Sequence, residues 1–409
     1  MRIGEFAKKN NITHDTVRHY IDIGLLIPKK DGHHYRFDDA HNRDISKIIE
    51  LKKLDFSLIE IQKILNLNRL AGKNSKEYNS YYLQVLEDKK KYILECQKRY
   101  EGIESTLNKK IEDIVSSERK TKRVLGIKID SLEILHCPKC NESLNISDGN
   151  IENNMIINGR ILCGCGYRAY IENGIYIGNN CGEDLSNKKE MPSKLDFIED
   201  SSTDFINFFY DGMSGIMESI TNNIKSPKYI LELEICSGTF LMQYIEQLPE
   251  EATYILINKD KTRLEKLKNN IESNNIHDRF IFICEEFDCL PIKINSIDLM
   301  IDHWMTKDYI YENNIFLLDK LSKLVKKQGL LVGIYPYLTN IDTNIYIEEL
   351  KEKGYLNLKF ISNKLNNLGF IEKSVKKIGP IIENKPYNKD TKDRRLYANI
   401  YSGRKGHIN

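Results

Sequence analysis

Four cysteines in the middle of the chain form two closely spaced pairs that could bind a metal ion. Cys137-x-x-Cys140 and Cys163-x-Cys165 are separated by 22 residues. Two tight turns that each present two sulfurs, at the ends of a short β segment, meet the needs of a tetrahedral four-thiolate site. We therefore predict a small β zinc ribbon over residues 130–180, with zinc in a structural role.

The other cysteines raise two further expectations. No apolar run approaches 18 residues and no export signal opens the chain, which favours a cytoplasmic protein with no membrane partner. Nine cysteines in such a protein favour thiols and metal ligands over structural disulfides, and Cys181 is expected to be a free thiol. A metal- or thiol-sensing role for the four-cysteine site stays open as an alternative.

The first forty residues carry a helix-turn-helix pattern with a wing. A short helix (3–9) is followed by a polar turn and by Thr13, a natural N-cap that opens a second helix ending near Gly24. A hairpin turned at Asp31-Gly32 comes next. The first turns of a recognition helix and the tip of a wing are the places where such a domain touches bases and phosphates. The candidate DNA-binding residues are His14, Thr16, Arg18, His19, Tyr20, Tyr35 and Arg36.

This N-terminal segment resembles the MerR family of bacterial transcription regulators. The matching motifs are Ile3-Gly4-Glu5-Phe6-Ala7, Thr16-Val17-Arg18-x-Tyr20, Gly24-Leu25-Leu26-x-Pro28, Tyr35-Arg36-Phe37 and Phe56-Ser57-Leu58-x-Glu60-Ile61. The resemblance implies an all-α winged helix-turn-helix domain over residues 1–70. It also implies double-stranded promoter DNA and RNA polymerase as partners.

A long uninterrupted helix is expected over residues 76–120. From Lys76 to Arg119 there is no proline, and semi-polar and apolar residues recur in alternating steps of three and four from Ile93 to Ile114. A single helix cannot bury so narrow a stripe by itself, so the pattern predicts a coiled coil. The family resemblance implies that this helix pairs two subunits into a homodimer. Packing of the helix against the chain's own C-terminal part is the alternative.

The overall charge does not by itself indicate a nucleic-acid binder. Lys and Arg number 61 against 59 acidic residues, for a net charge of +2. The first 43 residues hold eight Lys or Arg, six Asp or Glu and five His. This excess is modest, so affinity for DNA should depend on dimerisation and on the placement of individual basic groups.

Beyond residue 200 strands and helices alternate, which predicts a doubly wound α/β sheet of the Rossmann type. The order resembles class I S-adenosylmethionine-dependent methyltransferases over residues 200–403. In that family a glycine-rich turn after the first strand, and acidic residues after the second and third strands, hold the cofactor. The corresponding candidate residues here are Glu234, Cys236, Gly238, Asn258 and Glu286. Only the last glycine of the turn remains and Asn258 replaces an acid, so binding of S-adenosylmethionine is doubtful.

We predict a multidomain regulator. The winged helix-turn-helix domain over residues 1–70, which we call the head, binds a promoter as a dimer and distorts it. The degenerate methyltransferase-like domain senses an unknown small-molecule effector. No catalytic residues are assigned, and a non-catalytic C-terminal domain is favoured. An active methyltransferase with a DNA-binding head remains the first alternative, and the metal or thiol sensor the second.

Overall fold

The computed structural model describes residues 1–32, 34–118, 124–181, 194–233, 238–274, 278–338, 356–382 and 395–406. The chain divides into two compact units, Met1–Arg119 and Lys120–Asn409. The Cys cluster and the α/β sheet both belong to the second unit. Each unit is described by itself.

The first unit is a winged helix-turn-helix followed by one long helix. Its elements are α1 (Ile3–Lys9), α2 (His14–Asp22), β1 (Lys29–Asp31), β2 (His34–Arg36), α3 (Asp39–Lys53), α4 (Leu58–Ala71) and α5 (Lys76–Glu118). Local caps explain where the helices begin. Thr13 accepts a hydrogen bond from the Thr16 amide at 3.1 Å, and Ser57 and Glu60 form the capping box that their spacing predicts.

One hydrophobic core joins the helices of this unit. Phe6, Val17, Ile45, Ile48 and Leu51 are buried in it. The first turns of α5 join the same core through Tyr78, whose ring stacks on that of Tyr82 at 5.6 Å. The long helix is therefore anchored to the head by its own first turns.

The second unit is built on one twelve-stranded sheet. Its strands are β3 (Ile127–Lys128), β4 (Asn145–Glu152), β5 (Met155–Leu162), β6 (Arg168–Glu172), β7 (Ile175–Ile177), β8 (Tyr229–Leu233), β9 (Thr253–Asn258), β10 (Phe280–Cys284), β11 (Ile297–His303), β12 (Val325–Leu338), β13 (Phe370–Ile381) and β14 (Leu396–Lys405). Its helices are α6 (Lys194–Asp200), α7 (Thr203–Asn223), α8 (Thr239–Tyr244), α9 (Lys261–Asn274), α10 (Met305–Asn313), α11 (Leu317–Leu321) and α12 (Leu358–Asn367).

The α/β part has the strand order of class I methyltransferases. Across the sheet the order is β10-β9-β8-β11-β12-β14-β13, and β14 runs antiparallel between β12 and β13. Numbered from β8, this is the order 3-2-1-4-5-7-6 with a reversed seventh strand. The sequence expectation of a doubly wound, methyltransferase-like sheet is confirmed.

The Cys-containing β segment continues that sheet. Strand β7 pairs in parallel with β10, with Phe282 opposite Ile175, and β6, β5 and β3 follow outward from it. The ribbon is thus connected to the edge of the α/β sheet by main-chain hydrogen bonds.

One expectation about cysteines is wrong. Cys181, which follows β7, forms a disulfide with Cys284, the last residue of β10, instead of remaining a free thiol. The two strands hold these residues side by side, with Cα atoms 5.1 Å apart.

Candidate nucleic-acid interface and candidate metal centre

The recognition helix α2 exposes the polar side chains of its first turns. His14, Arg18 and His19 are exposed and Thr16 is half-buried. Tyr20 lies in the core with 5% of its surface exposed. The outward face of α2 therefore presents one guanidinium and two imidazoles.

The wing presents a second basic group. Arg36, on β2, is exposed, and its Nε donates to Asp31 Oδ2 across the hairpin at 2.5 Å. Tyr35 is half-buried, with Lys30 Nζ 5.9 Å from its ring centroid. Because the Arg36–Asp31 pair is exposed on both sides, it contributes little stability and can be exchanged for a phosphate.

A set of partly buried hydrogen bonds fixes the segment between α2 and the wing. Arg69, on α4, donates to the carbonyls of Gly24 at 3.2 Å and Leu25 at 2.5 Å, and also to Asp44 at 2.8 Å. Gln62 donates to the carbonyl of Ile23 at 2.6 Å. Both residues hold the end of α2 in place, and the sequence offered no signal for either because their partners lie far away along the chain.

The four predicted metal ligands come together in the second unit. The sulfurs of Cys137, Cys140, Cys163 and Cys165 all lie within 4.8 Å of one another, with Cys137 and Cys165 3.5 Å apart and Cys140 and Cys163 3.4 Å apart. Tetrahedral zinc with Zn–S bonds of about 2.3 Å requires sulfurs about 3.8 Å apart. The arrangement therefore fits a single zinc ion.

Turn geometry shapes each pair of ligands. The amide of Asn141 donates to the Cys137 carbonyl at 2.8 Å, and that of Gly166 donates to the Cys163 carbonyl at 2.9 Å. Gly166 has φ +87°, a conformation that residues other than glycine rarely adopt. A hydrogen bond from the Tyr167 amide, followed by the neighbouring thiols Cys137 and Cys163, lowers the pKa of Cys165 to about 7. The thiolate form that binds metal is thus favoured at Cys165, whereas burial raises the pKa of Cys137 and the pKa values of Cys140 and Cys163 are raised as well.

The candidate cofactor edge is less suited to its ligand. Glu234 and Cys236 lie outside the described residues. Gly238 has φ +59° and precedes α8. Asn258 ends β9, where its Oδ1 accepts from the Asp260 amide at 2.7 Å. Glu286 is exposed beyond β10.

Nearby carboxylates do not replace the missing acid. Asp260 pairs with Arg263 at 3.3 Å. Glu285, which the sequence did not single out, is buried and accepts from the amides of Glu286 at 2.8 Å and Asn180 at 3.4 Å. The described residues therefore do not fit the charge-assisted ribose contact that S-adenosylmethionine usually receives after the second strand.

Comparisons with known proteins centre on the head. Residues 1–68 match the MerR HTH family regulatory proteins. The chain is 35% identical over 81 residues to the HTH-type transcriptional regulator ZntR homolog of Haemophilus influenzae, covering 19% of this chain and 60% of that protein. It is 31% identical over 124 residues to the HTH-type transcriptional regulator YfmP of Bacillus subtilis, covering 30% of this chain and 81% of that protein.

Solved structures similar to the chain include the MccD protein, at 12% identity and a TM-score of 0.37 over 47% of this chain and 96% of that one. Another is the YcgJ protein of Bacillus subtilis, at 10% identity and a TM-score of 0.38 over 48% of this chain and 99% of that one. The fold of the second unit is defined by its strand order and does not depend on these likenesses.

Within the described residues, none of the helices combines the length and apolar composition needed to cross a membrane.

Residues 1–68 match the MerR HTH family, and the similarity to YfmP extends over 81% of that regulator. This chain therefore belongs to the MerR family of helix-turn-helix regulatory proteins.

Proposed function

We propose that the protein is a dimeric transcription regulator that binds a pseudo-palindromic promoter through its first unit. The observation that carries the proposal is the pair of exposed guanidinium groups, Arg18 on the recognition helix and Arg36 on the wing, on one rigid core. A helix in the major groove and a wing on the adjacent backbone together give specific and phosphate contacts. His14, Thr16, His19 and Tyr35 are proposed to support them.

Dimerisation is proposed to occur through α5. Ile93, Tyr100, Ile103, Leu107 and Ile111 follow one stripe of this helix and remain between 45% and 61% exposed in the single chain. An apolar stripe on a helix of 43 residues is stable in water when a second helix covers it. A second copy of the same chain supplies a stripe of matching length and spacing.

The mechanism that follows is promoter distortion. The dimer binds a promoter whose elements are poorly spaced, and an effector favours the conformation that twists the DNA into a form that RNA polymerase can use. The effector acts only as far as its affinity differs between the two conformations. The second unit is proposed as the sensor. Its methyltransferase-like sheet has Asn258 at the position of the acidic residue that usually binds the ribose of the cofactor.

Binding to the chain's own upstream region tests the DNA-binding proposal. Fluorescence anisotropy at low salt compares a labelled duplex of that region with a scrambled duplex. Arg18→Ala and Arg36→Ala should each weaken binding roughly tenfold or more. Arg160→Ala removes an equally exposed guanidinium from the second unit and should leave binding unchanged. Equal affinity of the wild-type protein for both duplexes would contradict the proposal.

A second candidate function is supported by the strand order of the second unit: an active methyltransferase carrying a DNA-binding head. Calorimetry with S-adenosylmethionine distinguishes the two. Saturable binding of S-adenosylmethionine at micromolar concentration would favour the enzyme. The absence of binding heat at millimolar S-adenosylmethionine would favour the sensor. A third candidate, a metal or thiol sensor, predicts that zinc removal changes promoter binding.

A further inference from the structure

A cavity of about 200 Å³ lies between α12 and the α/β sheet. Its floor is formed by the rings of Tyr335 on β12 and Tyr401 on β14. Leu358, Ile361 and Leu365 of α12 form the opposite, apolar wall. This space, which we call the tyrosine cavity, is separate from the edge at Asn258 and Glu286 and has no part in the function proposed above.

Two glycines make room for the floor. Gly333 pairs with Tyr401 across β12 and β14, and a Cβ at Gly333 would lie 2.7 Å from the Tyr335 hydroxyl. A Cβ at Gly403 would collide with the Tyr401 hydroxyl in the same way. Each tyrosine ring therefore lies along the sheet over a glycine two residues away. A tyrosine ring standing perpendicular to the sheet would fill the space beneath α12, and this space stays open because the two rings lie flat.

One hydroxyl in the floor lacks a partner. Tyr401 is 6% exposed, and within the described chain its hydroxyl has no hydrogen-bond partner, whereas the Tyr335 hydroxyl, on a side chain that is 2% exposed, faces the buried Asp302 carboxyl. An unsatisfied buried hydroxyl is unfavourable, and buried polar groups are usually paired. Since Tyr401 lines a space large enough for a small organic molecule, such a molecule could satisfy its hydroxyl.

The charges around the cavity select the type of ligand. Glu372, on β13, is an exposed carboxylate in the lining and acts electrostatically on the Tyr401 hydroxyl. The Asp302 carboxyl lies behind Tyr335. None of the described lining residues is basic, and Lys377, which pairs with the lining residue Asn399 on β14, has its Nζ 3.9 Å from the ring centroid of Tyr397. Negative charge beside aromatic faces favours a cation.

We propose that the tyrosine cavity binds a small organic amine, with its ammonium group at Glu372 and Tyr401 and its apolar part against α12. The Tyr401 hydroxyl oxygen and the Glu372 carboxylate accept from the ammonium group, and the leucine and isoleucine side chains cover the hydrocarbon. The proposal concerns binding alone and does not require that the protein bind DNA.

Calorimetry on the full chain with benzylamine tests the proposal, with benzyl alcohol and benzoate as neutral and anionic analogues of the same shape. Benzylamine should bind at least about tenfold more tightly than either analogue, since one ion pair or charged hydrogen bond supplies a difference of that size. Equal affinities for the three compounds, or no binding of benzylamine, would overturn the proposal.

Variants place the binding at this cavity. Glu372→Gln, at an exposed position, should weaken benzylamine binding about tenfold and leave benzyl alcohol binding unchanged. Ser362→Trp, at an exposed position in the cavity lining, should block all three compounds by filling the space. Glu246→Gln, an exposed carboxylate elsewhere in the unit, is the matched control. If benzylamine bound Glu372→Gln and Ser362→Trp as tightly as wild type, the site would be elsewhere and the proposal wrong.

Discussion

Asp302 is a charged residue in a place that disfavours charge. It lies near the end of β11, fully buried, and its Oδ1 accepts from the Thr306 amide at 3.0 Å. Burial raises its pKa to about 6, although the hydroxyls of Thr306 and Tyr335 act in the opposite direction. The Oδ2 atom has no partner of hydrogen-bonding geometry within the described chain. Folding therefore disfavours the charged form of this carboxyl relative to the unfolded chain.

This preference predicts a stabilising substitution. Because the pKa of Asp302 is higher in the folded state, its contribution to stability is full below about pH 4 and is lost as the pH rises through about 6. An asparagine side chain at this position would keep the Oδ1 acceptor, offer an amide donor to the hydroxyls of Thr306 and Tyr335, and carry no charge. We expect Asp302→Asn to raise the free energy of unfolding by roughly 2–3 kcal/mol at pH 7.5 and by little near pH 4.

Trp304 gives the measurement. It is the only tryptophan in the chain and lies two residues from Asp302, so its fluorescence reports on the second unit alone. Denaturant titrations at several pH values compare the variant with wild type, and the difference between them cancels other titrating groups. Asp211→Asn, at an exposed position on α7, should show no such dependence. A gap between Asp302→Asn and wild type that is the same at pH 4 and pH 7.5 would contradict the assignment.

Arg69 carries a second prediction at this scale. Alanine there would leave the carbonyls of Gly24 and Leu25 and the half-buried Asp44 without their donor. Loss of such contacts typically destabilises a fold by about 2–4 kcal/mol. Hydrogen exchange followed by mass spectrometry should show faster exchange at the end of α2. Arg69→Lys keeps the positive charge but loses the two-nitrogen guanidinium donor, so its exchange rate should lie between those of Arg69→Ala and wild type. Unchanged exchange in Arg69→Ala would show that Arg69 does not hold the end of α2.

Among the elements, the helices of the head were the most predictable. Their limits depend on caps within a few residues, such as Thr13 for α2 and Ser57 with Glu60 for α4, and local signals of this kind are visible in the sequence. The four cysteines were predictable for the same reason, because each pair lies within one turn. Arg69 was not, since it acts on residues 44 and 45 positions away.

Long-range pairing explains what the sequence did not reveal. Helix α11 ends at Leu321 and β12 begins at Val325, a boundary that periodicity does not reveal because a run of buried apolar residues fits either structure. Strand β13 is a sheet edge whose mostly exposed residues show no apolar alternation. The pairing of β7 with β10, and the bond of Cys181 to Cys284 across 103 residues, depend on tertiary structure alone.

The zinc ribbon makes a prediction about the neighbouring sheet. Purified protein should contain about one zinc per chain, and Cys140→Ser should contain almost none. Because β7 is hydrogen-bonded to β10, loss of the metal should also speed hydrogen exchange in β10. Cys289→Ser, which changes a half-buried thiol outside the cluster, is the control and should keep its zinc. A full zinc content in Cys140→Ser would rule out the four-thiolate site.

The stripe on α5 makes a prediction about assembly. Leu107→Lys places a charge in the apolar seam and should convert the dimer to a monomer, measured by light scattering after size exclusion. Ser105→Lys places the same charge on the opposite side of the helix and should leave the dimer intact. A wild-type chain that is monomeric at micromolar concentration, or a dimeric Leu107→Lys variant, would contradict pairing through α5.

At the scale of the whole molecule, net charge and DNA binding are separate matters. With 61 basic and 59 acidic residues, the chain has no general attraction to a polyanion. Affinity must then come from a few placed contacts, doubled by symmetry. A monomer would offer one recognition helix and one wing, whereas a dimer offers two of each to a pseudo-palindromic site.

This difference can be read from the salt dependence of binding. The logarithm of the binding constant falls with the logarithm of salt concentration by about 0.9 for each phosphate contacted. If Arg36 contacts one phosphate in each half-site, Arg36→Ala should reduce the slope by about two in the dimer and by about one in the monomeric Leu107→Lys background. Arg160→Ala should leave the slope unchanged in both backgrounds. An Arg36→Ala slope equal to that of wild type would show that the wing does not touch the DNA backbone. Equal reductions in the two backgrounds would show that the two heads do not bind together.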